Sequence, residues 1–333
     1  MGQCIDDLVC IERLSTIDSA RESWLQLAKL CGWDVPLEKS LPPQQWFRAL
    51  GVFVDLSPLP GEAATVNTCP QRLDGIHKTL SDIVDNGRLS PSLAASVAGK
   101  LLFAASAFAG RFGVAMLRAF RRRANEPSRF NINPQLSAAC DWWLRGLRLA
   151  PPRPIPWKLD ERNITLSYSD GEGSDAGVGV AIWSARLENP EAGRIDIPLQ
   201  IRKLWAAQRV SATGELHDIQ EIEGIGPLLI LTTWKKVLAN SLWLHFIDNN
   251  GALSCLIKGS SSCMGTDTVV GLTWHCIGEA DVMPWFDRVD TKSNPVDGLS
   301  RKAVRGPWKL VPLQFPSALL KFELRRAKRI IFE

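Results

Sequence analysis

A short alternating stretch at residues 164–169, ITLSYS, gives the clearest indication of local structure in this 333-residue chain. Apolar side chains take every second position and hydroxyl side chains the positions between, which is the pattern of a half-buried β-strand. An acid, Asp170, follows at once, and then a glycine-rich turn and a second apolar run at residues 178–182. The stretch predicts a β-hairpin that carries a carboxylate at the end of its first strand.

Three more acids lie at the ends of predicted elements farther along the chain. Glu223 lies in QEIEGIGPLLIL, Asp248 closes the apolar run LWLHFI, and Asp297 lies in SNPVDGLSR. Each aspartate has an ordinary alternative role, since Asp170 can be a turn residue, Asp248 the acid at a helix start and Asp297 a cap. Together, four carboxylates on separate elements can converge, and such oxygen ligands suit hard cations such as Mg²⁺ or Mn²⁺.

The order and surroundings of these acids are similar to those of a known domain. A hairpin comes first, FIDN stands in the middle and WFDRVDTKSNPVDGLSR at the end. This arrangement resembles the ribonuclease H domain carried by reverse transcriptases of retroelements, particularly tyrosine-recombinase (DIRS-like) retrotransposons. The resemblance implies an α/β domain in which helices flank a mixed five-stranded sheet. It also implies a two-metal endonuclease, with Mg²⁺ or Mn²⁺, that cleaves the RNA strand of RNA–DNA hybrids.

The resemblance gives each of the four acids a catalytic and metal-binding role. Asp170 and Asp248 would hold the ion that helps to deprotonate the attacking water. Glu223, with assistance from Asp297, would support the ion that stabilises the leaving oxygen.

The choice of glutamate depends on the family pattern. Glu221 and Glu223 are two residues apart, so they would point in different directions on a helix and only one can face the ions. Glu223 is preferred because EGIG matches the family. Pro227 is tolerated in a first helical turn, which predicts that Glu223 lies at a helix start.

The upstream half resembles the end of a polymerase domain. CIDDLVC, with Asp6 and Asp7, resembles the palm's aspartate box, and Lys39 takes the place of the family's lysine after the palm. Residues 47–57 resemble the strand that leads into the thumb, and the sequence LSPSLAAS that starts at Leu89 predicts a helix start within the thumb and connection helices. Fingers and a further palm aspartate would precede the first residue, so we expect no polymerase activity from the chain alone. The expected segments are a palm remnant (1–56), thumb and connection helices (57–155), a ribonuclease H-like domain (156–305) and a basic tail (306–333).

The cysteines indicate an intracellular protein, cytoplasmic or nuclear. There are eight, with no CxxC pair and no regular spacing, which argues against a disulfide framework and a structural zinc site. No secretory signal or uninterrupted membrane span is present, so no membrane partner is expected. The combination of Cys255, Cys263, His275 and Cys276 is attributed to chance.

Basic residues form two runs, although the net charge is only +4. Such runs can neutralise the phosphates of an RNA–DNA hybrid or another nucleic acid, or they can be solvated helix faces. They also allow a second interpretation of the chain, a catalytically inactive retroelement remnant that only folds or binds nucleic acid. An exonuclease or integrase on the same fold is a third. The runs consist of Arg118, Arg121, Arg122 and Arg123, and of Arg325, Arg326, Lys328 and Arg329.

Overall fold

The computed structural model describes residues 9–33, 35–36, 38, 42–59, 63–108, 111–126, 129–149, 152–155, 164–207, 218–304 and 306–321. The chain divides into two compact units, one built from Met1–Cys69 with Pro154–Trp157 and the other from Pro70–Arg153 with Lys158–Glu333. The second unit therefore takes in both the expected connection helices and the expected ribonuclease H-like segment. The four-segment division of the chain stays a prediction.

Among its described residues, the first unit contains one α-helix and a small sheet. Its elements are α1 (Ile17–Leu30), β1 (Trp46–Ala49), β2 (Val52–Asp55), β3 (Ala64–Thr68) and β4 (Arg153–Ile155). The strands pair in the order β1-β2-β3-β4. The single strand predicted over residues 47–57 is wrong, because Leu50 and Gly51 both have positive φ and turn the chain between the antiparallel strands β1 and β2.

Four helices begin the second unit. Their bounds are α2 (Pro70–Asn86), α3 (Pro91–Ser106), α4 (Leu117–Ala124) and α5 (Pro134–Leu149). The predicted start of α3 is confirmed, because the Ser90 hydroxyl accepts a hydrogen bond from the Leu93 amide at 3.2 Å and Pro91 takes the first helical position. The helices enclose an apolar core whose fully buried members include Leu80, Leu101, Phe120 and Trp143.

A mixed sheet forms the centre of the rest of this unit. Its strands are β5 (Ile164–Gly171), β6 (Gly177–Ser184), β7 (Glu191–Asp196), β8 (Leu242–Ile247), β9 (Met283–Arg288) and β10 (Lys309–Leu310), in the spatial order β10-β7-β6-β5-β8-β9. The predicted hairpin is present as β5 and β6, which are antiparallel, as are β6 and β7, whereas β8 and β9 run parallel to β5. The five predicted strands are joined by a sixth, because β10 pairs with the edge of β7.

In the described part of the chain, seven α-helices accompany the sheet. Their bounds are α6 (Leu199–Ala206), α7 (Ile219–Gly224), α8 (Gly226–Thr233), α9 (Lys235–Leu238), α10 (Asn250–Lys258), α11 (Met264–Glu279) and α12 (Asp297–Ser300). Between the sheet and these helices lies a core that buries Trp205, Trp234 and Trp243. No helix in the described part of the chain has the length and apolar character needed to cross a bilayer.

The central strand turns its polar side toward this core. Ser167 and Ser169 are fully buried, and their hydroxyls bond to the two ring nitrogens of His245 at 2.9 and 3.1 Å. The Trp243 indole donates to Ser167 at 2.7 Å. Burial lowers the pKa of His245 to about 3, so the imidazole is neutral and satisfies the hydroxyls without burying a charge.

The helical part of the second unit contacts helices α10 and α11 within the same unit. Arg111 donates to the Ile257 carbonyl at 3.1 Å, and Arg118 donates to the Ser262 carbonyl at 2.6 Å. The Phe112 ring stacks on His275 with 5.8 Å between ring centroids. These polar and aromatic contacts join the helical half and the sheet half of the unit.

Candidate metal centre

Two of the predicted acids leave neighbouring parallel strands side by side. Ser169 on β5 lies opposite Ile247 on β8, so the next residues, Asp170 and Asp248, emerge together at the carboxyl ends of the strands. In α/β sheets, ligands typically bind at this end. The pairing of β5 with β8 therefore creates the two-carboxylate core of the site.

Helix α7 brings a third carboxylate to the same point. Glu223 is mostly buried and accepts a hydrogen bond from the Gly171 amide at 3.1 Å, which fixes it against the end of β5. Oxygen atoms of Asp170, Glu223 and Asp248 all lie within 4.8 Å of one another. Among the described residues, no other group of three or more histidines, cysteines or acids is arranged to hold a metal ion.

Glu221 points away from this cluster. Its carboxylate is fully buried and accepts hydrogen bonds from the Thr266 hydroxyl at 2.8 Å and the Cys263 thiol at 2.9 Å, both near the start of α11. The expected position of Glu223 at a helix start is wrong, however. It lies one residue before the end of α7, and Pro227 opens the next helix, α8, instead.

Asp297 lies beside the cluster but is not one of the three converging residues. It is the first residue of α12, and its carboxylate lies 3.0 Å from the Arg301 guanidinium. Its negative charge nevertheless contributes to the raised pKa values of Asp170 and Glu223. Of the four predicted acids, the structure brings three within ligand distance and places the fourth next to them.

Burial and mutual repulsion make the cluster hold protons in the absence of a cation. The pKa of Glu223 is raised to about 9, mainly by burial and then by the charges of Asp170 and Asp248. Burial also raises the pKa of Asp170 to about 6, against a hydrogen bond from Ser300 that lowers it. A bound cation would offset both the burial of negative charge and the repulsion.

The donor atoms fit a hard divalent cation. Asp248 Oδ1 is buried and accepts no hydrogen bond from any part of the chain that the structure describes, although buried carboxylate oxygens normally have a partner. The converging groups are all carboxylates, the ligands that Mg²⁺ and Mn²⁺ prefer. These three acids could therefore hold a metal ion at this point.

Two further residues support the site, and one of them, Ser300, was not singled out from the sequence. Ser300 is fully buried, and its hydroxyl donates to Asp170 Oδ2 and lies 2.8 Å from the Asp297 carbonyl. The Asn294 side-chain amide donates to the Ser169 carbonyl at 3.0 Å. The only signal in the sequence is the spacing of Ser300, three residues after Asp297, which places both on one face of a helix.

The other predicted functional residues lie outside the described residues or make contacts elsewhere in the second unit. Asp6, Asp7 and Lys39, and the tail's basic run, lie outside the described residues. The Arg118–Arg123 run was interpreted as a phosphate-binding surface or as a solvated helix face. Neither interpretation holds for Arg123, which is buried and donates to the carbonyls of Leu89 and Asn131 at 3.1 and 2.7 Å. That guanidinium is a structural crosslink within the helical core.

No known family matches the chain, and no curated protein matches it. Among solved structures, it is similar to a foamy viral protease-reverse transcriptase in complex with an RNA/DNA hybrid, with 13% identity and a TM-score of 0.38, over 92% of this chain and 37% of that one. It is also similar to the foamy viral protease-reverse transcriptase dRH in complex with double-stranded DNA, with 13% identity and a TM-score of 0.36, over 84% and 44% of the two chains. The chain spans less than half the length of either structure, and likenesses this distant do not assign it to a family.

Proposed function

We propose that this chain is a retroelement-derived fragment that cleaves the RNA strand of RNA–DNA hybrids with the help of two divalent ions, Mg²⁺ or Mn²⁺. The observation that carries the proposal is the convergence of Asp170, Glu223 and Asp248 within 4.8 Å at the carboxyl ends of two parallel strands. The order of these acids along the chain, and their resemblance to the ribonuclease H domain of reverse transcriptases, support the substrate class.

Each side chain has a defined task in this proposal. Asp170 and Asp248 would hold one ion, and Glu223, with assistance from Asp297, would support the other. When bound, the ions would lower the pKa of a water molecule and neutralise the charge that develops on the leaving oxygen. The Gly171 amide holds the Glu223 carboxylate toward the other two acids, so the ligands are arranged before substrate arrives.

Selectivity for RNA would come from contacts to 2′-hydroxyls across the shallow minor groove of the hybrid. The DNA strand lacks this hydroxyl, so a site that depends on it would leave DNA uncut. Nucleic-acid binding and RNA selectivity are therefore separable properties, the first electrostatic and the second dependent on the 2′-hydroxyl.

A gel assay on a hybrid with a labelled RNA strand tests the proposal. Cleavage should require Mg²⁺ or Mn²⁺, stop on addition of a chelator, and be lost in Asp248→Asn while hybrid binding remains. Asp281→Asn is the matched control, because Asp281 is an exposed acid with positive φ, a conformation that asparagine tolerates. Cleavage that resists chelator, or full activity in Asp248→Asn, would contradict the proposal. An inactive wild-type chain would favour the alternative of a catalytically inactive retroelement remnant. Cleavage of both strands of the hybrid would favour a nuclease of another class.

A further inference from the structure

Helix α12 lies unusually close to strand β6. A Cβ atom placed on Gly179 would lie 2.8 Å from the Ser300 amide nitrogen and 3.1 Å from the Val296 carbonyl, and one placed on Gly177 would collide with the Ser300 carbonyl. Real Cβ atoms do not come within 3.0 Å of such backbone atoms. Only glycine at both positions therefore allows the helix to reach its observed place.

This close approach brings Ser300 to the carboxylate cluster. Gly179 pairs directly with Asp170 across the hairpin, so a helix packed on Gly179 ends beside that acid. The Ser300 hydroxyl has one proton and two acceptors in reach, the Asp170 carboxylate and the Asp297 carbonyl. The charged carboxylate is the stronger acceptor, so the proton belongs to the bond with Asp170.

The end of α12 is also fixed from the outside. Arg194 on β7 donates to the Ser300 carbonyl at 2.9 Å, and Arg194 is itself paired with Asp196 at 2.6 Å. On the inner side, Val296 and Leu299 pack in a small apolar cluster with Ala181 and Ala192 of the sheet. These contacts hold the backbone of Ser300 on both sides, so its hydroxyl is presented to Asp170 from a fixed position.

A fixed donor determines how the Asp170 carboxylate is turned. The last torsion of an aspartate is broad and roughly two-fold, so without a partner the carboxylate samples several orientations. Outer-shell hydrogen bonds to metal ligands typically change metal affinity or activity by about 10- to 100-fold. The effect is on the arrangement of ligands, since Ser300 contacts Asp170 and is itself inaccessible to solvent.

We propose that Ser300 is a positioning residue, which orients Asp170 for the divalent ion, and that the Gly177 and Gly179 pair serves to admit it. This inference rests on the proposed function, because it assumes that the carboxylates hold an ion. It adds a specific prediction about affinity, since loss of Ser300 weakens ion binding and leaves the cleavage chemistry in place once the ions are saturating.

Titration of the full-length chain with Mn²⁺ by calorimetry, without nucleic acid, tests the inference. Ser300→Ala should raise the dissociation constant of Mn²⁺ by about 10- to 100-fold, whereas Ser293→Ala, an exposed serine of the same segment, should leave it unchanged. At saturating Mn²⁺ the hybrid-cleavage rate of Ser300→Ala should return to within about 3-fold of wild type, because every ligand is still present.

Thermal melts in chelator separate positioning from a loss of folding. Ser300→Ala should melt cooperatively without metal, while the rise in melting temperature on adding Mn²⁺ becomes smaller than in wild type. If wild type binds Mn²⁺ and Ser300→Ala binds it equally well, the inference is overturned and the proposed function stands. If wild type binds no Mn²⁺ at all, the proposed function fails and the inference fails with it.

Discussion

Replacing Asp248 by asparagine should make the metal-free protein more stable, although it removes a ligand of the proposed site. Three carboxylate groups lie within 4.8 Å of one another, and two unit charges at that separation repel by about 3.5 kcal/mol in an effective dielectric of about 20. Asparagine keeps the shape of the side chain and removes its charge. The cluster is thus a place where binding function opposes stability.

The expected gain follows from the protonation states of the neighbours. At pH 8 Glu223, whose pKa is raised to about 9, is largely protonated, so the charge that Asp248 faces is mainly that of Asp170, whose pKa is raised to about 6. Small movements of the side chains and residual solvent around them relieve part of this repulsion. We therefore expect the free energy of unfolding of the chelated protein to rise by about 1–3 kcal/mol in Asp248→Asn.

Urea unfolding followed by tryptophan fluorescence, at pH 8 with chelator and again with Mn²⁺, measures this change. Wild type should gain about 2.7 kcal/mol when the free ion is at 100 times its dissociation constant, and Asp248→Asn should gain little. With metal, the stability advantage of Asp248→Asn over wild type that is expected in chelator should therefore become smaller or reverse. The reasoning fails if Asp248→Asn is less stable than wild type in chelator, or if Mn²⁺ stabilises both proteins equally; Asp281→Asn should behave as wild type in both conditions.

The raised pKa of Glu223 means that the folded chain holds a proton that the unfolded chain releases near the ordinary value of 4.5, so the stability of the chelated protein should fall as pH rises from about 5 to 9. Urea titrations across that range should show the slope in wild type and a smaller slope in Glu223→Gln, which keeps only the contribution of Asp170 near the acidic end; an unchanged slope would contradict the assignment. In hybrid-cleavage assays Glu223→Gln should be inactive, whereas Glu221→Gln should stay active and lose about 1–2 kcal/mol of stability, because only its buried hydrogen bonds are weakened; equal cleavage rates would overturn this distinction. Arg202 bonds to the buried carboxylate of Asp218 at 2.7 Å, so Arg202→Met should cost about 3–5 kcal/mol of unfolding free energy in urea titrations. A loss no larger than that of Lys203→Met, an exposed control on α6, would refute the role of the pair.

The sequence was sufficient to predict secondary structure and site residues where a pattern repeats over a few neighbouring residues. Alternation along residues 164–169 predicted β5, and the position of an acid after each of two apolar runs predicted carboxylates at strand ends. The parallel pairing of β5 with β8 then places Asp170 beside Asp248 with no further information. Local periodicity and the rules of sheet assembly thus carry this part of the site.

Features that depend on a close approach between distant segments were not predictable. The hydroxyl of Ser300 reaches Asp170 only because two glycines of β6 admit α12, and nothing local to DGLSR reveals that contact. Arg123 looked like part of a basic surface run, yet its head group satisfies two carbonyls in the helical core. The Ser300–Asp170 contact joins residues 130 positions apart, and one of the two carbonyls that Arg123 reaches, that of Leu89, lies 34 positions away.

The buried polar network of β5 and β8 has a consequence for the time course of folding. Ser167 and His245 are separated by 78 residues, so their bonds form only after a long loop has closed, and such non-local contacts are slow to form. The carboxylate cluster needs this pairing and, in addition, α7 in its final place. Divalent ions should therefore bind only after the strands have joined, and they should stabilise the protein by slowing its unfolding while leaving the rate of folding nearly unchanged.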